Sequence, residues 1–474
     1  MNTVQRIAKN TAALFAAQFV TIILGLVLSI YIARMLGDVI FGKYSFALAF
    51  VAIFAVFSDL GYNTILIREV SRDKSQANKY LNNVISMRIL LSIAIFALIV
   101  AIINLMGYPA DTKNAVYLFG IYTLLTSISA VFKVTFRAFE KMEYEAAITI
   151  LANIIRITLG LSVLFWGYGL IELALTFVFS GVLEVLFSIL ICRWKFIKPQ
   201  IEFDFDFLKN TIRIALPLSI TGISLLIYTK TDTLMLSMMK GDAVVGWYNA
   251  AYNLILGFKP IPQLFMNALF PLMSSYYESS KDSLKIISEI SFKFLFVLGL
   301  PLALGMTILA DQIIHIFYGM QFINSVVALQ ILAWDIFLFM MWTNGSFILI
   351  AANKQKMWAI AAVSTALINI AANLILIPPL SYVGAAIATI VAESLCVILV
   401  FYFVIIETDF NIEWLYFIKI LSSNSITGFT VYYFQDVNMI ILIFLSMSLY
   451  FSILVSIRVL PKDQMNMLLS IFSR

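Results

Sequence analysis

Apolar runs of membrane length recur along this chain, and they restrict its fold more than any other feature. A helix needs roughly 20 apolar residues to cross a bilayer. Runs of that kind lie near 11–36, 44–67, 80–104, 114–137, 144–166 and 169–193. After a polar stretch come 208–238, 244–274, 286–310, 324–350, 355–377, 383–406, 412–434 and 437–459, about fourteen spans in all. The expectation is an all-α polytopic membrane protein. Composition agrees: 62% of the 474 residues are hydrophobic and only 12% are charged, where a soluble domain carries about 25% charged residues. Arg6 and Lys9 precede a first run too long for a signal peptide's apolar core, and no small-residue cleavage site follows it. Cys192 and Cys396 lie in or beside apolar runs and read as buried small residues, not as a disulfide or metal pair.

Charge inside such runs is costly and marks functional candidates. The segment 227–252 carries Lys230 and Asp232, then turns through Gly241 and Asp242 into Gly246, Trp247 and Tyr248. That turn has an echo. Gly37-Asp38, three residues, Gly42, one residue, Tyr44 recurs as Gly241-Asp242, three residues, Gly246, one residue, Tyr248. A weaker echo pairs FRAFEKM at 136–142 with IAANKQKM at 350–357, followed by Asn153 and Asn369. The echoes lie an even number of spans apart, which predicts a parallel repeat about an axis along the membrane normal. The expected organisation is an N-terminal lobe of about six helices over 1–200 and a second over 201–406, with two further helices and a tail in 407–474.

Lysine and arginine set the orientation. With the N-terminus in the cytoplasm, inner loops and tails carry about nineteen Lys and Arg and outer loops about three or four. Arg68, Arg72, Lys74 and Lys79 form one inner cluster, Arg193, Lys195, Lys198 and Lys209 another, and Lys354 and Lys356 a third. Both termini are expected inside. The stretch near 193–209, with alternating acids at Glu202, Asp204 and Asp206, reads as a linker between lobes, and an ordinary amphipathic loop fits it equally well.

Enzymatic chemistry finds no foothold. The chain lacks a phosphate-binding Gly-x4-Gly-Lys-Ser/Thr loop, a nucleophile elbow and a His/Cys/Glu metal constellation. Its single histidine, His315, reads as interfacial or structural. The outer loops are short and hold no acid pair for a glycosyltransferase. No basic stripe suggests nucleic acid. No catalytic residue, metal or cofactor is expected, and transport is the better class.

The candidate cavity cations are Arg34, Lys230, Lys259 and Arg68. Arg34 lies near an outer end, against the charge bias. Lys230 lies about eight residues from the outer end of its span, too deep to reach water by snorkelling. Lys259 precedes Pro260 and Pro262 and marks a broken helix, and irregular backbone at that depth must be buried or line a cavity. Arg68 lies at the inner face, where the bland reading is a snorkelling side chain. Arg88 and Arg156 lie within spans and are expected to face protein or water. The candidate cavity acids or ion-coupling sites are Asp59, Asp232 and Asp335. Asp59 is followed by Gly61 and Asn63, so it serves a proton, a sodium ion or a cavity arginine, or it caps a local break or pairs with a neighbouring lysine. Asp232 is two residues from Lys230, so the two do not share a helix face. For Asp335, as for Glu172, Glu184 and Glu393, structural polar pairing is the default.

The stretches ARMLGDVIFGKY at 33–44, FSDLGYN at 57–63, IREVSR at 67–72, FRAFEKMEY at 136–144, YTKTD at 228–232 and GWYNAAY at 246–252 carry a resemblance. In their order and spacing the chain resembles the polysaccharide-biosynthesis flippase branch of the multidrug/oligosaccharidyl-lipid/polysaccharide exporter superfamily. The resemblance implies two six-helix lobes around a central cavity and alternating access. It implies movement of a polyprenyl (pyro)phosphate-linked oligosaccharide from the cytoplasmic to the outer leaflet of the cell membrane. A monomer is implied, with a glycan polymerase or glycosyltransferase as partner. A cation-coupled drug exporter of the same superfamily and a non-transporting scaffold of a glycan-assembly complex are the alternatives.

Overall fold

The computed structural model describes the backbone of residues 3–408, 410, 414–435 and 437–457. The side chains of Arg6, Lys9 and Pro217, and the expected cytoplasmic tail from 458 onward, lie outside the described residues. The described chain is helical, without a strand among the described residues, and divides into two compact units, Met1–Ala250 and Ala251–Arg474.

The first unit holds α1 (Thr3–Ala55), α2 (Tyr62–Arg72), α3 (Ala77–Leu105), α4 (Ala110–Ala138), α5 (Met142–Phe165), α6 (Leu170–Lys195), α7 (Phe205–Lys240) and the start of α8 (Asp242–Leu256). The expected spans 11–36 and 44–67 are not separated by a loop. Both run into α1, which is two helices joined at Gly37, whose φ of 81° and ψ of 175° leave the helical region. The second expected span then breaks at Asp59, ahead of α2.

The linker between α6 and α7 runs along α3. The backbone N–H groups of Gln200, Glu202 and Asp204 donate to Asn82 Oδ1 (3.0 Å), Ser86 Oγ (3.0 Å) and Asn83 Oδ1 (2.6 Å). Every second amide of this extended stretch faces α3, and two of those amides belong to the acids Glu202 and Asp204. Asp204 then accepts from Phe207 N at 3.0 Å and caps the start of α7.

The second unit continues with α9 (Pro260–Ser279), α10 (Lys281–Ile308), α11 (Ala310–Phe317), α12 (Ser325–Ala351), α13 (Gln355–Thr408), α14 (Trp414–Tyr433) and α15 (Met439–Ser456). The expected span 244–274 is divided between α8 and α9, because Pro260 opens a new helix where an N–H is dispensable. The expected spans 355–377 and 383–406 are joined in α13 through Ser381, whose φ of 56° breaks the helix just after Pro378 and Pro379. The last two helices pack on α10: Tyr450 donates to Val297 O at 3.0 Å, and Gly428 lets α14 close on Leu304.

Nine helices among the described residues are long and apolar enough to cross a membrane. The protein is a multi-pass membrane protein. Apolar side chains such as Leu105, Phe165 and Ile375 are exposed. In lipid they need no protein cover, because the hydrocarbon is as apolar as they are. The most enclosed spans are α10 and α12, each with 61% of its apolar window buried. Cys192 and Cys396 are buried free thiols.

Candidate functional site

The repeated turns adopt the same backbone. Gly37 has φ 81° and ψ 175°; Gly241 has φ 91° and ψ 177°. That region of conformational space is closed to residues with a Cβ, which is why both turns begin with glycine. They also meet each other within the first unit. A Cβ at Gly42 would sit 1.8 Å from the carbonyl oxygen of Asp242, and one at Gly246 would sit 2.1 Å from that of Asp38. Each repeat thus seats its second glycine on the other's aspartate backbone. Trp247 Nε1 donates to Asp38 Oδ2 at 2.8 Å across the same contact. Nearby, Lys43 pairs with Asp111 at 2.5 Å, and the Tyr108 and Ser237 hydroxyls are 2.9 Å apart.

Asp59 sits at the break before α2 and meets two demands. Its Oδ1 accepts the Asn63 N–H at 3.2 Å, which caps the new helix, and it pairs with the Arg88 guanidinium from α3. Arg88 is only 3% exposed and also donates to Asn63 Oδ1 (2.9 Å) and Ser127 Oγ (3.2 Å). Asp232 is buried in α7 and accepts from the Tyr248 hydroxyl at 2.5 Å, while the neighbouring Thr233 donates to Asn249 Oδ1 at 3.1 Å. So the acid in the 227–252 segment is held by the second Gly-Asp repeat. Lys230 is half-buried on the same helix, and Arg34 is exposed one turn before Gly37.

In the second unit, Lys259 and Asp335 come together at 2.9 Å. Asp335 is fully buried, and the Lys259 ammonium lies over the rings of Phe339 (4.7 Å) and Tyr252 (5.4 Å). The helix break at Lys259 therefore delivers a cation to a buried carboxylate inside an aromatic cage. Glu393, also buried, accepts from Trp342 Nε1. Asn369 is fully buried, and its side-chain amide has no hydrogen-bond partner among the described residues.

Arg68 bonds its neighbour Glu69 at 2.7 Å and lines a cleft of about 340 Å³ with Lys79, Tyr80, Asp206, Phe207 and Asn210. Lys79 lies over the Phe207 ring at 5.0 Å. This cleft is separate from the break that Asp59 caps.

Sequence reasoning did not find the partners. Lys133 pairs with Glu184 at 2.6 Å and Arg137 with Glu145 at 2.5 Å. Glu172 caps α6 by accepting from Gly169 N at 3.1 Å. The only local signal was the Gly169–Glu172 spacing; the other pairs join different helices, or lie across the α4–α5 turn.

A model of the polysaccharide biosynthesis protein family matches residues 7–277, more than half of the chain. The chain belongs to that family. A second model, MatE, overlaps it over residues 217–375. Among relatives of this family member is the lipopolysaccharide biosynthesis protein WzxC of Escherichia coli (strain K12), 24% identical over 333 residues. That match covers 67% of this chain and 64% of the relative's own length. The probable low-salt glycan biosynthesis flippase Agl15 of Haloferax volcanii is 23% identical over 362 residues, 76% of this chain and 75% of its own. Among solved structures, the lipid II flippase MurJ in an inward closed conformation aligns with TM-score 0.78 at 19% identity, over 94% of this chain and 99% of that one. An inward-facing multidrug resistance MATE family transporter aligns with TM-score 0.63 at 16% identity, over 81% and 93%. These likenesses establish that the chain shares their fold.

Proposed function

We propose that this chain is a flippase, not an enzyme, that moves a polyprenyl (pyro)phosphate-linked oligosaccharide from the cytoplasmic to the outer leaflet of the cell membrane. The observation that carries the reading is the placement of ionisable side chains within membrane-length helices of a member of this family. Lys230 is half-buried in a membrane-length helix, and Arg34 is exposed one turn before the Gly37 junction of another. The cargo headgroup is polar and anionic, and cations along its route offset the hydration it loses, while its lipid tail stays in hydrocarbon. Relatives named as a flippase and as an O-antigen transporter support the same cargo class.

Alternating access of two lobes, 1–200 and 201–406, follows from the repeat. The matched Gly37 and Gly241 turns support it, since equal backbones at equivalent points are what a parallel repeat produces. The helices in 407–474 are additions to that plan. Arg68 serves the route from the inner end, and Asp232 and Lys230 serve it along α7; Asp59 with Arg88 and Lys259 with Asp335 are paired and hold helices together. An ion gradient or the membrane potential drives the cycle. Both termini are cytoplasmic, the protein works as a monomer, and a glycan polymerase or glycosyltransferase acts beside it.

The test is translocation of a fluorescent polyprenyl-pyrophosphoryl saccharide in proteoliposomes. Wild type moves the probe, Lys230→Ala moves it several-fold more slowly with unchanged folding, and collapsing the ion gradients stops both. Absence of movement by folded wild type across several such lipids would refute the reading. The MatE match favours one second reading, a cation-coupled drug exporter. Drug resistance lost in Lys230→Ala with glycan export intact would select it.

A further inference from the structure

Four cations within the helices of the first unit differ in their partners. Arg88, Lys133 and Arg137 each meet a carboxylate, of Asp59, Glu184 and Glu145. Arg156 on α5 meets none among the described residues. Its Nη1 donates to the Tyr122 hydroxyl at 2.5 Å and its Nη2 to Asn153 Oδ1. The guanidinium Cζ lies over the Phe177 ring, 5.2 Å from its centroid. Every partner is neutral.

This arrangement is held in place. Asn153 donates to Thr21 Oγ1 at 2.9 Å and to Thr149 O at 2.8 Å, so the oxygen that receives Arg156 is fixed from α1 as well as α5. Phe177 packs edge-on to Tyr122 at 5.4 Å and to Tyr44 at 6.2 Å. A guanidinium has more donors than these two partners use, and Nε is buried without a hydrogen-bond partner. The side chain as a whole is only half-buried. Positioned over an aromatic ring and without a counter-charge among the described residues, it is set to receive an anion. The guanidinium fork matches the oxygens of a phosphate.

We infer that Arg156 is a docking point for the phosphate group of the lipid-linked cargo. The inference rests on the flippase reading and extends it to a residue and a chemical group. Arg156 lies nine residues before the end of α5 at Phe165, about 14 Å along the helix. With the N-terminus in the cytoplasm, as the charge bias implies, this is the outer half of the bilayer. The phosphate meets this cation late in the crossing, after the inner-end cleft that Arg68 lines. Tyr122 and Asn153 are positioning residues, since they hold Arg156 and do not themselves carry charge.

The test measures binding of a fluorescent polyprenyl-pyrophosphoryl saccharide to the full chain in nanodiscs of neutral phosphatidylcholine. Arg156→Gln raises Kd by about tenfold, the scale of lost charge-assisted bonds. Arg156→Lys, which keeps charge and loses the fork, gives a smaller rise. A neutral glycolipid with the same sugar and no phosphate binds wild type and both variants alike. Equal Kd for the pyrophosphoryl probe in wild type and Arg156→Gln would overturn the inference while leaving the flippase reading intact, because that reading fails only if wild type does not move the probe. An effect seen only in discs containing phosphatidylglycerol would also overturn it, since the site would then hold a membrane phospholipid. If Arg156→Gln does not fold, the Arg156→Lys comparison decides, with an unchanged Kd counting against the inference.

Discussion

Arg88 and Arg156 are both arginines inside the first unit, and they are treated in opposite ways. Arg88 is 3% exposed, meets the Asp59 carboxylate and joins a network with Asn63, Ser58 and Ser127. Arg156 is half-buried and meets only a phenol, an amide and an aromatic face. The difference teaches that charge within these helices is not one signal. A cation closed off with its own carboxylate holds helices together; a cation left with neutral partners retains its field for something that arrives. Lys259, with Asp335 and two rings, is built like Arg88.

The comparison breaks first at Asp59. Replacing it by Ala leaves Arg88 buried without a counter-charge and removes the cap on α2, so thermal unfolding in detergent should show a loss of about 3 kcal/mol. Leu at 59 combined with Met at 88 should recover most of that loss, because an apolar pair needs no compensation. Gly42→Ala comes next. Its Cβ would overlap the Asp242 carbonyl, which costs about 1–3 kcal/mol and raises the reactivity of a cysteine placed at Ser237 toward an impermeant thiol reagent. Combining it with Gly246→Ala should cost less than the sum of the two, since both disrupt one contact. Tyr248→Phe leaves the buried Asp232 without its hydroxyl donor and should cost about 1–2 kcal/mol by the same unfolding assay. Smallest is Arg156→Gln, which strands no carboxylate and should stay within about 1 kcal/mol of wild type. A loss as large as that of Asp59→Ala would place Arg156 in the scaffold and erase the distinction.

The sequence made the kind of fold legible and left its joints hidden. Apolar runs show which residues can cross lipid, and they located every membrane-length helix found here. They do not show whether two runs are joined by a loop or by one bent residue, so Gly37 and Ser381 each carry a junction that hydropathy cannot see. The Gly-Asp echo was plain as a pattern, but the seating of each repeat on the other's backbone is a tertiary contact about 200 residues apart and leaves no local trace. Buried acids and bases were likewise visible one at a time. Asp59 finds Arg88 29 residues away and Lys133 finds Glu184 51 away, on other helices. Lys259 and Asp335 stand apart in the sequence as separate candidates, and only the structure makes them a pair.

The most direct measurement of the central claim is transbilayer movement of the fluorescent polyprenyl-pyrophosphoryl saccharide, read by quenching from outside the proteoliposome. Wild type, Asp59→Leu with Arg88→Met, and Arg156→Gln are compared at equal amounts of folded protein. The account predicts quenching beyond the outer-leaflet pool for wild type, near-wild-type rates for the apolar pair, and a several-fold slower rate for Arg156→Gln. Quenching confined to the outer leaflet with folded wild type would contradict it.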